Sequence, residues 1–188
     1  MEAGIVLAIA AFIFLLITIA QGVRQVPQGF KWVVQRLGKY YVSLKPGLNF
    51  IIPYIDTVAY KVTTKDIVLD IPSQEVITKD NAILVTNAVA YINIVSPEKA
   101  VYGVENYVIA IQTLVQTSLR SIVGEMTLDE ALSSRDHIKA KLKAAISDDI
   151  ADWGITLKTV EIQDINPSGT MQSAMEEQAA AERARRAT

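Results

Sequence analysis

The chain has no cysteine, a single histidine (His137) and, from Ala3 to Val23, no charged residue. Without cysteine there is no disulfide, thiol nucleophile or thiolate metal site, and the compartment stays open on that count. The lone histidine sits in the charged stretch S134-R-D-H-I138, so a zinc cluster has too few ligands and His137 reads as a solvated helix residue rather than the base of a Ser-His-Asp triad. Neither a GxGxxG nor a GxxxxGK[ST] phosphate loop occurs. The acid pairs Asp148-Asp149 and Glu176-Glu177 are sequence neighbours, which point about 100° apart on a helix and form no shared carboxylate site. Arg183, Arg185 and Arg186 stand beside three glutamates, which reads as polar helix surface rather than a nucleic-acid contact. The expectation is a chain without catalytic residues, metal ligands or cofactor.

What is present begins with the uncharged run, whose centre is GIVLAIAAFIFLLITIA. Its 21 residues make a helix of roughly 31 Å, against a hydrocarbon core of about 30 Å. A signal peptide wants a positive n-region and a small-x-small cleavage site. Only Met1 and Glu2 precede this run, and Thr18-Ile19-Ala20 fits poorly. The run therefore reads as a retained transmembrane helix. Arg24, Lys31, Arg36, Lys39 and Lys45 follow it before the first acid, Asp56. Positive flanks stay cytoplasmic, which puts the N-terminus outside a single-pass cell-membrane protein and the bulk of the chain in the cytosol. Residues 24–70 carry seven bases and three acids, residues 71–164 eight bases and thirteen acids. The five early bases are candidates to face anionic lipid, with an ordinary solvated face as the alternative.

Further along, strands rich in Val, Ile and Thr succeed one another through Phe30–Gly38, Tyr40–Ser43, Thr57–Thr64, Ile67–Ile71, Gln74–Ile77 and Ala82–Val95. Such a run implies an antiparallel or mixed sheet. From Ser96-Pro97-Glu98 the period changes to helical, Ser96 reading as an N-cap. One helix ends near Gly124, T127-L-D-E130 has the form of a capping box, and another helix buries Ile138, Leu142, Ala145, Ile146 and Ile150. Gly154 suits the left-handed position after that helix, and Ile155–Ile165 reads as a last strand. From Ser168 the chain is polar, alanine-rich and helix-favouring, with no stop signal. It reads as the start of a longer, self-associating helix in a truncated sequence. Met171, Met175, Glu182, Arg183 and Arg186 are its candidate contacts, and Glu182–Arg186 forms an i,i+4 pair.

Between Lys45 and Asp56, six large apolar side chains are interrupted by Pro46 and Pro53. Neither one helix nor one central strand can hold them. Leu48, Phe50, Ile51, Ile52 and Tyr54 are expected to form a loop in the cytoplasmic leaflet, with some of them diverted to the β core.

The motifs V26-P-Q-G-F30, R36-L-G-K39, K45-P-G-L48, V68-L-D-I-P72, K79-D-N81, T127-L-D-E-A-L-S-S-R-D136, W153-G-I155, V160-E-I-Q-D164 and E182-R-A-R-R-A187 occur in this order. Together they resemble the stomatin/prohibitin/flotillin/HflK-C (SPFH, Band 7) family, nearest its bacterial stomatin-like QmcA type. The resemblance implies an α+β chain: a transmembrane anchor (1–24), a β-rich SPFH1 subdomain (25–95), an α/β SPFH2 subdomain (96–167) and the start of a coiled-coil helix (168–188). It implies a non-enzymatic membrane scaffold, a large homo-oligomeric ring or cage that organises a lipid microdomain and sequesters membrane proteins. A regulatory subunit of a membrane-bound AAA protease is the alternative. Implied partners are the bilayer, further copies of the chain, and such a protease or an NfeD-like protein, with no nucleic acid.

Overall fold

Helix gives way to strand without a linker: α1 (Glu2–Gly22) runs directly into β1 (Val23–Val26). The computed structural model describes residues 2–186, and the side chains of residues 2–5 and of many residues in 170–186 lie outside that description. There follow β2 (Phe30–Arg36), β3 (Lys39–Leu44), β4 (Gly47–Phe50), β5 (Asp56–Thr63), β6 (Ile67–Ile77) and β7 (Ile83–Ile94). Four helices come next, α2 (Pro97–Tyr102), α3 (Tyr107–Gly124), α4 (Leu128–Ser133) and α5 (Arg135–Asp152). Strand β8 (Ile155–Pro167) and helix α6 (Gly169–Arg186) complete the chain. The fold is α+β, and every described strand pairing is antiparallel.

Three sheets form, β1-β4, β3-β2-β5 and β6-β7-β8. In the last, β8 returns across four helices to pair with β7 along its length, Ile94 opposite Ile155 and Leu84 opposite Pro167. Helices α3 and α5 cover one face of this sheet. Their fully buried Ile111, Val115, Leu119, Ile138, Leu142, Ile146 and Ile150 share one core with Ile71, Leu84, Ile92 and Ile165. The four-residue spacing of the α5 apolar side chains makes that stripe. Ala145, expected on it, is exposed. A smaller core of Val26, Val34, Leu44 and Ile51 lies between β1-β4 and the middle sheet. Successive residues of β2 divide between the cores, Val33 going to the large one and Val34 to the small one, as strand alternation requires.

Several local readings hold. Thr127 Oγ1 accepts from Glu130 N at 3.4 Å while Glu130 Oε2 accepts from Thr127 N at 2.9 Å. Asp80, at the β6–β7 hairpin, accepts from Leu128 N and from the Thr78 hydroxyl. These bonds, the Thr78 one first, hold its carboxyl below the usual range. Ser96 precedes α2 but makes no side-chain cap bond; Pro97 starts the helix without an N–H to satisfy. The expected Ile67–Ile71 and Gln74–Ile77 strands are one strand, with a register shift between Ile71 and Gln74 where Pro72 cannot donate. α6 is 18 residues long and stands where the start of a longer helix was expected, and the Glu182–Arg186 pair lies outside the described side chains.

Helix α1 is present where a membrane-spanning helix was expected. Among the described residues, however, no helix is long and apolar enough to cross a membrane. The described side chains of α1 run from Val6 to Gly22, a stretch of roughly 25 Å.

Gly154 carries the joint between the last helix and the sheet. Its φ is +67°, its carbonyl accepts from Val95 N and Ser96 N at 2.9 and 3.0 Å, and a Cβ there would lie 2.6 Å from Ser96 O. Gly154→Ala is expected to lower the urea-unfolding free energy by about 2 kcal/mol or more, combining backbone strain with a clash. Gly38→Ala, at φ +82° with open space around it, should cost only about 1–2 kcal/mol.

Candidate functional site

Strand alternation divides the apolar stretch after Lys45. β4 pairs with β1, Phe50 opposite Val23 and Leu48 opposite Gln25, and the ladder continues where Ile51 N donates to Gly22 O at 2.8 Å. Side chains two apart share a face. Leu48 and Phe50 therefore point outward, 72% and 77% exposed, while Ile51 on the opposite face is 8% exposed in the small core. Of the five residues expected in lipid, Ile51 is thus a core residue. Leu48, Phe50, Ile52 and Tyr54 are exposed.

The loop does not hang free. It lies against the last turn of α1, and Phe50, Ile52 and Pro53 with Thr18, Ile19 and Gly22 line a shallow hollow between them. A side chain at Gly22 would place its Cβ 2.8 Å from Ile51 O, so this approach needs glycine. From Val6 to Ile19 the large apolar side chains of α1 are 47–70% exposed.

At its other end the loop is tied by Asp56, which is buried. Arg36 grips it bidentately, Nε to Oδ1 at 2.6 Å and Nη2 to Oδ2 at 2.9 Å, and Ile52 N donates to Oδ2 at 2.9 Å. The Arg36 guanidinium also stacks over Tyr41, 3.7 Å from the ring centre. These bonds, the Arg36 ones first, hold the Asp56 carboxyl below its ordinary 3.8.

Two further exposed apolar residues lie beside the loop: Leu37 (82%), which escaped the sequence reading, and Ile55 (41%), which was counted in the apolar stretch but not assigned to the leaflet. Leu37 N donates to Ile55 O at 3.2 Å. Leu37 and Gly38 have φ +49° and +82°, the two positive angles of a type I′ hairpin, in which asparagine usually stands first. Tyr54 also has positive φ, +72°. The only available signal was a leucine in R36-L-G-K39 where a turn residue belongs.

The five bases separate by height. β2 runs away from its Lys31 end toward Arg36, a distance of about 17 Å, and Arg36 adjoins the loop. Lys31 Nζ instead donates to Val95 O at 3.2 Å, at the end of β7. Lys45 lies at the turn into β4, where Gly47 pairs with Val26, far from the helix end. Arg24, Arg36 and Lys39 are at the loop end, with Arg36 committed to Asp56. Met171, Met175, Glu182, Arg183 and Arg186 all fall on α6. Arg183 is exposed, and the other four side chains lie outside the description.

Apolar side chains thus crowd one end of the β module, beside the helix, with bases at their border. The chain belongs to the SPFH domain / Band 7 family, which matches residues 24–188. It is 43% identical over 175 residues to a stomatin homologue of Pyrococcus horikoshii, covering 93% of this chain and 65% of that protein. Over 163 residues it is 39% identical to mitochondrial stomatin-like protein 2 of Homo sapiens, covering 87% of this chain and 46% of that protein. An uncharacterised protein of Mycobacterium tuberculosis is 37% identical over 185 residues, 98% of this chain and 49% of that protein. The chain therefore spans about half to two thirds of these relatives. Members of the family are in general not enzymes.

Because the Asp56 carboxyl is depressed in the folded state, its stabilisation is fully present above 3.8 and is lost as pH falls through the lower folded value. The unfolding free energy of the parent chain should therefore fall more steeply than that of Asp56→Asn from about pH 4 to about pH 2. Near neutral pH the variant should be the less stable of the two, as urea titrations at both ends of the range will show.

Proposed function

We propose that this chain is a non-enzymatic membrane scaffold, anchored by α1 and steadied by Leu48, Phe50, Ile52 and Tyr54 in the adjoining leaflet. The observation that carries the reading is the hollow shared by Thr18 and Ile19 with Phe50, Ile52 and Pro53. It makes the loop an extension of the uncovered apolar surface of α1. What favours a span is the sequence: the uncharged run from Ala3 to Val23 would make a helix of about 31 Å, the thickness of a bilayer's hydrocarbon core, although no helix of the described residues meets that measure. Leu48, Phe50 and Ile52 would each contribute about 1.5–3 kcal/mol on full transfer from water, and Tyr54 suits the headgroup level. Family membership and the stomatin-like relatives support the same reading.

In this reading Arg24, Arg36 and Lys39 mark the cytoplasmic side, so the N-terminus lies outside and the sheets lie in the cytosol. Copies associate through α6 into a large ring or cage that confines lipid and membrane proteins. A particle of one subunit, by light scattering of the full chain in mild detergent, would overturn the assembly. A homogeneous particle of many subunits is the expected result.

The loop is tested apart from the helix with a chain beginning at Val23. Leu48→Asp combined with Phe50→Asp is expected to weaken its flotation with liposomes at least about tenfold, since two apolar contacts are replaced by charge. Unchanged flotation would place the loop outside the bilayer.

A further inference from the structure

Three tyrosine rings meet where α2 crosses the middle sheet. Tyr102 of α2 lies over β2, its hydroxyl accepting from Gln35 Nε2 at 2.8 Å. Tyr40 of β3 and Tyr60 of β5 flank it, their ring centres 6.2 and 5.8 Å from its own and their planes inclined to it by 66° and 87°. Rings that serve only as packing are covered, whereas these three keep 44–46% of their surface in water. Tyr40 and Tyr60 stand on strands two apart, opposite Gln35 and Val33 of β2, which separates them by roughly 12 Å. The rings therefore make a row across the sheet.

The polar groups of the row are free donors at one end and an acid at the other. Tyr102 accepts from Gln35 and keeps its own proton. The Tyr60 hydroxyl has no partner among the described residues. At the far end, Tyr40 Oη and Ser43 Oγ are 3.3 Å apart, and Ser43 donates to Glu98 at 3.2 Å. Glu98 is in no ion pair among the described residues.

A matching occupant has apolar rings of its own, carbonyls in need of donors, and a base for Glu98. The polyproline II helix meets the first two conditions, because it makes no internal hydrogen bonds. At about 3.1 Å per residue, four of its residues cover the row. Aromatic side chains hold such segments by stacking on the prolines. An α-helix, with its carbonyls already bonded along its length, would leave the tyrosine donors idle.

We infer that the row Tyr40–Tyr102–Tyr60 docks a proline-rich segment of a partner protein, of Pro-x-x-Pro pattern, with a basic residue beside Glu98. The six prolines of this chain never stand three apart, so the segment is not one of these 188 residues. The surface is independent of the membrane reading. It draws on β3 and β5 from one module and α2 from the other, so an occupant braces the two against each other.

The test uses the full chain in mild detergent, its seven tyrosines carbon-13 labelled in the ring. It is titrated with a synthetic peptide of one arginine followed by a run of prolines, or with its analogue in which glycine and serine replace the prolines. The proline peptide is expected to shift Tyr40, Tyr60 and Tyr102 saturably and to leave Tyr54 and Tyr91 in place. The flexible analogue should bind at least about tenfold more weakly, since it must be ordered on binding. Tyr60→Phe keeps the ring and removes a donor, so it should weaken the proline peptide about fivefold, or ~1 kcal/mol. Its urea midpoint should match the parent's, because that hydroxyl is bonded to nothing in the fold. Glu98→Gln should weaken the arginine-bearing peptide about threefold and leave one with alanine in its place unchanged. Equal binding of the glycine-serine analogue would overturn the proline assignment. No saturable shift at the three rings, or equal losses from Tyr60→Phe and Tyr91→Phe, would overturn the surface itself.

Discussion

Asp56 is the node on which the candidate surface depends. One carboxylate receives the Arg36 fork from β2 and the Ile52 N–H from the loop, so it closes the irregular segment onto the sheet edge. A loop with Pro53 and a left-handed Tyr54 cannot satisfy its backbone by strand pairing, and a buried N–H without a partner is costly. The charged acceptor removes that cost. Arg36, in turn, is braced by Tyr41. With the loop ends fixed, at Gly22 by one backbone bond and at Asp56 by three side-chain bonds, the intervening apolar side chains have only the outside to occupy.

The same logic of two faces explains why one β4 strand serves two chemistries. Its outward residues are greasy, while the inward neighbours of β1 and β4 either fill the small core or, at Arg24, border a polar recess. The module is then tied to the larger α/β core through α2. Tyr102 packs edge-on against Tyr40 and Tyr60 and accepts from Gln35, and Ser43 donates to Glu98. Lys31 belongs to this tie through its bond to Val95 O.

Much of this was legible because it depends on near neighbours. The capping box at Thr127, the left-handed Gly154 and the helical stripe of Ile138, Leu142, Ile146 and Ile150 are written within a few residues of one another. The fate of Ile51 was not, because it depends on the parity of a strand pairing between residues 23–26 and 47–50, two short segments with weak local signals. The return of β8 to β7 was equally hidden, since pairing partners some 70 residues apart leave no periodicity. It joins strands from both sides of residue 95 into one sheet. The spatial separation of the five bases was hidden for a third reason: sequence proximity to α1 is not spatial proximity when β2 and β3 fold back on each other.

One consequence follows from the direct join of α1 to β1. Where a flexible tether would let a helix lean independently, Gly22 and Val23 are consecutive, and Ile51 is bonded across that very point. Helix and sheet are thus joined with no linker between them. In the anchored arrangement proposed above, a bilayer that thinned and tilted α1 would swing the adjoining sheets with it. Copies joined at their far ends could satisfy only one such angle at a time, so the curvature of an assembly would be coupled to the thickness of the lipid beneath it.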